Sequence, residues 1–238
     1  MRIGFLALTP TTLAMARAWS DAGHQINGIG TKNILDGLDA EPEFEHFCGN
    51  AYEDNWDEVI RNSDLIILDF TPSPFDFMGN FFKQREQIMT GKILCHTSPE
   101  VGREALDWYG QQGAFTMAIH PATVLAGDDT DKVRFAEAMF AIDADEALLP
   151  VAQALVIELG GEPFLVKPEQ RASYAEAMGL ATTFAEQITS QAMNALGEAG
   201  LTEKRAILSP ILRGTIERVL AEGAANLEPG AAKNLDEI

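Results

Sequence analysis

Cysteine is nearly absent from this chain of 238 residues: Cys48 and Cys95 are the only two, and no C-x-x-C spacing occurs. That excludes a disulfide framework and gives no zinc-site signature, so no metal site is expected. Basic residues are also scarce, 17 Lys and Arg against 36 Asp and Glu, for a net charge of −19. A surface that acidic repels a phosphate backbone, so no nucleic-acid partner is expected. No run approaches the roughly 20 apolar residues of a membrane helix. The apolar start of the chain is too short for a signal peptide, and the expectation is a cytoplasmic protein without membrane contact. Apolar residues still make up 46% of the chain, enough for a real core.

What is present alternates. Arg2 to Leu8 is a short apolar run of buried-strand length, and Pro10 suits the first turn of a helix. Leu13, Ala16, Ala18 and Trp19 give that helix an apolar face, Gly23 stops it, and Ile26 to Ile29 is a second strand. Strand, turn, helix and strand within about 30 residues form a βαβ unit. Leu65 to Leu68, Lys92 to Cys95, Phe115 to Ile119, Phe140 to Ile142 and Phe164 to Val166 read as further strands. Trp56 to Ile60, Phe77 to Met89, Glu100 to Gln111 and Asp145 to Leu159 read as helices between them. This order predicts an α/β fold, a doubly wound and mostly parallel Rossmann-like sheet.

The strands stop after Lys167-Pro168. A stripe from Tyr174 to Leu196 predicts a helix of about 30 residues closed by Gly197 and Gly200, and Ala206 to Leu220 another, with Pro210 kinking it. The expected domains are therefore 1–168, of nucleotide-binding type, and 169–238, smaller and all-helical. Two helices can hardly bury their own apolar stripe, so a homodimer through residues 170–225 is expected. The alternative is that the stripe packs on the sheet domain of its own chain.

The first turn lacks its glycines. At the G-x-G-x-x-G positions of a dinucleotide fold stand Ala7, Thr9 and Thr12, and Pro10 removes one N–H from the helix start. Ala7, Thr9, Pro10, Thr11 and Thr12 are the candidate phosphate-side residues, through backbone and hydroxyl donors. A sheet that has lost its cofactor fits these residues equally well. After the second strand, Thr31 and Lys32 replace the acid that binds the ribose of NAD. They favour NADP if any dinucleotide binds, although a solvated Lys32 is the simpler reading. Asp69, followed by Thr71 and Pro72, ends a strand where a cofactor cleft would lie, or is merely a polar strand terminus.

Two of the four histidines close strands: His96-Thr97-Ser98-Pro99 and His120-Pro121. Ligands bind outside the carboxyl ends of strands in an open α/β sheet, so the pair could serve a carbonyl substrate as donors or as general acid and base. Otherwise each caps its strand through a backbone hydrogen bond. His24 and His46 lack metal-ligand partners, Asp128, Asp129 and Asp131 read as a solvated loop, and Phe75, Phe77, Phe81 and Phe82 as core or interface.

These motifs resemble a family of two-domain Rossmann-like NAD(P)-dependent oxidoreductases in the 6-phosphogluconate dehydrogenase-like superfamily. His96-Thr97-Ser98 and His120-Pro121 match its strand-end motifs. Leu159-Gly160-Gly161 matches the segment before a short strand, Arg171 to Ala177 the start of the long helix, and Leu208 to Arg213 a Pro-Leu-Leu-Arg segment. The chain departs from the family in its lost glycines, in Pro99 for a glycine, and in Ala175 for a histidine. The resemblance implies a dehydrogenase or reductase acting on a small carbonyl or hydroxy substrate. A nicotinamide would lie over the strand ends at Thr9, Thr71 and His96, with Thr97 and Ser98 also on the cofactor side, and His96 or His120 would polarise the substrate, with Tyr174 facing the cleft. A degenerate relative that binds no dinucleotide and serves another small ligand or a protein partner is the alternative.

Overall fold

The computed structural model describes residues 1–7, 9–29, 56–69 and 89–222. The predicted helix over Phe77 to Met89, the phenylalanines before it, His46 and Cys48 therefore lie outside the described residues, except for Met89. The chain divides into two compact units, Met1–Met178 and Gly179–Ile238.

Unit one is built on seven strands: β1 (Arg2–Phe5), β2 (Gln25–Ile29), β3 (Leu65–Leu68), β4 (Ile93–His96), β5 (Phe115–Pro121), β6 (Met139–Ala144) and β7 (Glu162–Leu165). Their order across the sheet is β2-β1-β3-β4-β5-β6-β7. All neighbouring pairs are parallel except β5 with β6. The expected α/β, mostly parallel sheet is thus the fold observed. The four residues Leu65 to Leu68 are all buried, as a central strand covered on both faces requires.

The helices are α1 (Pro10–Asp21), α2 (Trp56–Asn62), α3 (Asp107–Gln111), α4 (Asp131–Ala136), α5 (Leu149–Leu159) and α6 (Pro168–Gly179). They cover both faces. Ile3, Phe5, Ile67, Cys95, Met117 and Phe140 of the strands pack with Trp19 of α1 and Leu155 of α5 in one layer. The buried Trp19 indole donates to the Leu155 carbonyl at 3.0 Å, locking those two helices together. Ile66, Leu68 and Leu94 point the other way, onto Ile60 of α2 and Tyr109 of α3. Gly4 is what lets α2 approach so closely, since a Cβ there would lie 2.6 Å from Val59 Cγ1.

Some boundaries shift for local reasons. The stretch from Glu100 opens only at Arg103, as a 3-10 turn to Leu106 ahead of α3. Helix α5 starts at Leu149, with Pro150 in its first turn, and not at Asp145. The acidic run does not lie wholly in solvent. Asp131 is buried, accepts the amides of Ala126, Gly127 and Asp128, and pairs with Arg134 at 2.7 Å. It shapes the turn leading into α4, a role that charge counting cannot show.

In unit two the helical residues run from Leu180–Phe184, a single π turn, through α7 (Ala185–Glu198), and then α8 (Lys204–Glu222), with Pro210 inside. Contiguous helical residues 168–198 match the expected long helix. No described side chain of residues 179–221 is buried. Among the described residues, no helix is long and apolar enough to cross a membrane.

Candidate functional site

Strand order reverses between β1 and β3: the chain leaves β1 for β2 on one side and continues through β3 on the other. The cleft outside the carboxyl ends of strands at such a reversal is where open α/β sheets bind ligands. Three polar side chains meet there. Asp69, directly after β3 and only 8% exposed, accepts the hydroxyls of Thr9 and Thr97. Thr97 is itself buried, its amide donating to the Leu68 carbonyl at 3.1 Å.

Thr9 is also the N-cap of α1. Its hydroxyl accepts the Thr12 amide at 3.1 Å, and Thr12 Oγ1 accepts the Thr9 amide at 2.9 Å, a reciprocal capping box. The Thr12 hydroxyl also donates to the Ala7 carbonyl at 3.0 Å, so its buried side chain fills the inside of the turn. Where a glycine loop leaves bare amides, this turn has bonded them to threonines, and Pro10 has none to offer. Thr11 carries the one first-turn amide without a partner among the described residues. Thr31, Lys32, Thr71 and Pro72 lie outside the described residues.

The second group sits on one face of the sheet farther along. The register sets His96 opposite Ala118, Ala118 opposite Asp143, and His120 opposite Ala141, so His96, His120 and Asp143 share a face. His96 is 1% exposed, and its ring nitrogens lie 2.9 Å from the Gly102 carbonyl and 3.2 Å from the Ser98 amide. Its Nε2 therefore carries the proton and donates, while Nδ1 accepts. Burial is the main cause that lowers its imidazole to about 4, outweighing the bond to Gly102; the Arg171 charge acts with burial, and Glu104 and Asp143 oppose it. His96 is neutral and tied at both nitrogens to the turn after β4, the strand-end cap weighed for it. Through that turn it positions Thr97 and Ser98.

His120 is different. Its Nδ1 lies 2.6 Å from the Tyr174 hydroxyl, and the rings meet edge to face at 5.6 Å. Burial first, then the charges of Arg171 and His96, lower His120 to about 4. Burial raises the Tyr174 phenol to about 12, against a smaller opposing effect of Arg171. The protonated phenol can donate to Nδ1, and in that tautomer the neutral His120 ring carries its proton on Nε2. Nε2 has no partner among the described residues. Phe164 of β7 packs against Tyr174 at 5.9 Å and holds the phenol in place.

Helix α6 also supplies Arg171, one turn before Tyr174. It is 5% exposed, with its guanidinium carbon 5.9 Å from the Tyr174 ring centroid and Nη2 3.8 Å from Asp143 Oδ2. Reading the sequence placed Arg171 in a motif but gave it no role. Nothing in a lone arginine on a helix signals burial. Asp143, which ends up beside it, stood within an apolar strand and drew no attention either. The structure brings His120 and Tyr174 into contact, and gathers Thr9 and Thr97 around Asp69.

The class this defines is a doubly wound, Rossmann-like α/β protein. Residues 138–237 match the family described as Domain of unknown function (DUF2520). Solved structures share the fold. A Bacteroides fragilis protein described as a putative NADP oxidoreductase superposes with a TM-score of 0.74 at 18% identity, covering 98% of this chain and 83% of that one. An imine reductase from Myxococcus stipitatus in complex with NADP+ gives 0.64 at 17% identity, over 93% and 76%. The pyrroline carboxylate reductase of Plasmodium falciparum, with NADP bound, gives 0.59 at 13% identity, over 92% and 78%. At these identities the likeness establishes fold, and function must be argued from the site. No curated protein sequence matches the chain.

Proposed function

We propose that this chain is an NAD(P)-dependent oxidoreductase acting on a small carbonyl or hydroxy compound in the cytoplasm. One observation carries the reading: a neutral His120–Tyr174 pair whose Nε2 is left unbonded stands on the same run of strand ends as the hydroxyls of Thr9, Thr97 and Ser98. The solved structures of like fold that carry NADP support it.

The donor set fits such a cofactor at one end. The hydroxyls of Thr9, Thr97 and Ser98 suit ribose hydroxyls and a carboxamide, and would hold the nicotinamide end. The α1 turn does not suit a diphosphate gripped as a glycine loop grips it, because Pro10 has no amide and those of Thr9 and Thr12 are already capped. When bound, the cofactor supplies or removes a hydride. The protein's part is then electrostatic. His120 Nε2–H donates to the substrate oxygen, polarising a carbonyl without a cationic imidazolium, and Tyr174 fixes that tautomer from Nδ1. As the carbonyl is reduced, its oxygen takes the Nε2 proton while Nδ1 takes the Tyr174 hydroxyl proton, so the ring stays neutral in its other tautomer and solvent reprotonates the phenolate. NADP is favoured over NAD on the strength of Thr31 and Lys32.

A second reading, a relic of the fold that binds another small ligand or a protein, is favoured by Asp69, whose carboxylate stands at the α1 terminus beside the position a diphosphate would take. Calorimetric titration with NADP, NADPH, NAD and NADH separates the two. A micromolar response, stronger for NADPH than NADH, is the expected result. Silence from all four at millimolar concentration removes the oxidoreductase and leaves the relic.

We also propose that the chain forms a homodimer through residues 170–225. Leu180, Phe184, Ile188, Ile211, Ile216 and Leu220 are each more than half exposed, a density of bare apolar side chains that calls for a cover.

A further inference from the structure

Among the described residues of charged type, three are buried: Asp69, Asp131 and Arg171. The two acids are fully occupied, Asp69 by two threonine hydroxyls and Asp131 by three amides and an arginine. Arg171 is not. Its Nε, Nη1 and Nη2 are all shut off from solvent and none has a hydrogen-bond partner among the described residues. Asp143, the nearest carboxylate, stands 3.8 Å away and turns its oxygen to the Arg103 amide at 2.9 Å. Buried polar groups are almost always hydrogen-bonded, and a buried cation without acceptors is costly. Three orphaned donors on one planar fork therefore call for an acceptor that the chain does not itself provide.

The position of the fork narrows the acceptor. Arg171 precedes Tyr174 by one turn on the same helix, and Tyr174 bonds His120. An anion on Arg171 thus lies next to the pair that handles the substrate oxygen. A carboxylate matches the guanidinium fork with two parallel bonds, which a lysine could not offer.

We infer that Arg171 anchors the carboxylate of the substrate, which makes that substrate a short 2-oxo acid or the matching 2-hydroxy acid. This rests on the oxidoreductase reading above and specifies it. In a 2-oxo acid the reacting carbonyl is bonded directly to the carboxylate carbon, so a single small molecule spans Arg171 and His120. In the reducing direction the carbonyl carbon accepts a hydride from the reduced nicotinamide. The C=O π pair moves to oxygen, and oxygen takes the His120 Nε2 proton; oxidation of the 2-hydroxy acid reverses each transfer.

The test uses the full chain without dinucleotide. Oxamate, which carries one carboxylate beside a carbonyl, is titrated calorimetrically against its uncharged counterpart oxamide and against inorganic phosphate. Oxamate is expected to bind, oxamide to stay silent, and phosphate to bind at least tenfold more weakly than oxamate. Arg171→Lys should weaken oxamate at least tenfold, and Arg171→Met should abolish its binding. Oxamate no tighter than oxamide, phosphate tighter than oxamate, or a folded R171M that holds oxamate as well as the parent would each overturn the inference. If R171M does not fold by circular dichroism, the three-ligand comparison on the parent protein decides alone. NADPH binding with oxamate silent overturns the carboxylate anchor and leaves the oxidoreductase standing. Oxamate binding with all four dinucleotides silent supports the anchor and removes the redox chemistry.

Discussion

A carboxylate near the amino terminus of a helix is ordinarily favourable, because it meets the positive end of the helix dipole. Asp69 takes that benefit through Thr9 and thereby stands against any second anion at the same place. Two like charges about 5 Å apart in a surface cleft repel by roughly 1–3 kcal/mol. Asp69→Asn keeps an acceptor for one threonine, donates its amide to the other and removes the charge, so it should tighten NADPH binding about tenfold, as read by calorimetry. Unchanged or weaker binding would mean that Asp69 does not oppose the diphosphate. A second prediction concerns acid. His96 and His120 are lowered to about 4 in the folded protein, chiefly by burial, against an ordinary value near 6.5. The unfolded chain therefore binds more protons than the folded one between those values, and stability present above pH 6.5 is lost as pH falls toward 4. Each ring contributes on the order of 2–3 kcal/mol to that loss. Urea midpoints between pH 7 and 4.5 should fall accordingly, and more shallowly in His96→Asn. At this scale the sequence was half legible. Strand-end histidines could be seen, since a His after a run such as Lys92 to Cys95 marks its own position. Their different fates could not, because Tyr174 reaches His120 from a distant helix, and nothing in the turn after β4 announces that Gly102 will accept from His96.

Elements were easier to read, for a reason visible in α1. Thr9, Pro10 and Thr12 encode the start of that helix within four residues, and Gly23 encodes its stop, all through local chemistry. Thr9→Ala removes the cap and should cost about 1–2 kcal/mol in urea denaturation, whereas Thr9→Ser, which keeps the hydroxyl, should cost much less. Equal losses in both variants would show that the methyl group, and not the cap, matters. The direction of β6 was not legible. A buried strand is a short apolar run whichever way it points, and Met139–Ala144 looks the same pairing antiparallel to β5 as it would pairing parallel. That reversal is what sets Asp143 level with the end of β4 and beside Arg171, so this part of the site had no sequence signal.

For the whole molecule, length and alternation were enough to give the sheet, while the ordering of residues 179–222 depends on more than their own packing. Helices with no buried side chain cannot offset the entropy of ordering them. Light scattering at micromolar concentration should therefore return about twice 25.9 kDa. A monomeric mass would remove the dimer and require the apolar stripe to be covered within one chain.

Cys95 offers a clock for this architecture. Its thiol is buried among Ile67, Met117 and Phe140, and burial raises its pKa far above neutrality. Only a thiolate attacks a disulfide reagent, so inside the intact sheet the sulfur is chemically silent. In a Cys48→Ser background, the rate at which an aromatic disulfide labels Cys95 then measures how often β4 parts from its neighbours. A ligand at the strand ends that binds only the closed sheet should slow that labelling by a factor of one plus the ratio of free ligand concentration to Kd. A central strand that cannot be seen to move would thus report, through sulfur chemistry, on what the cleft above it holds.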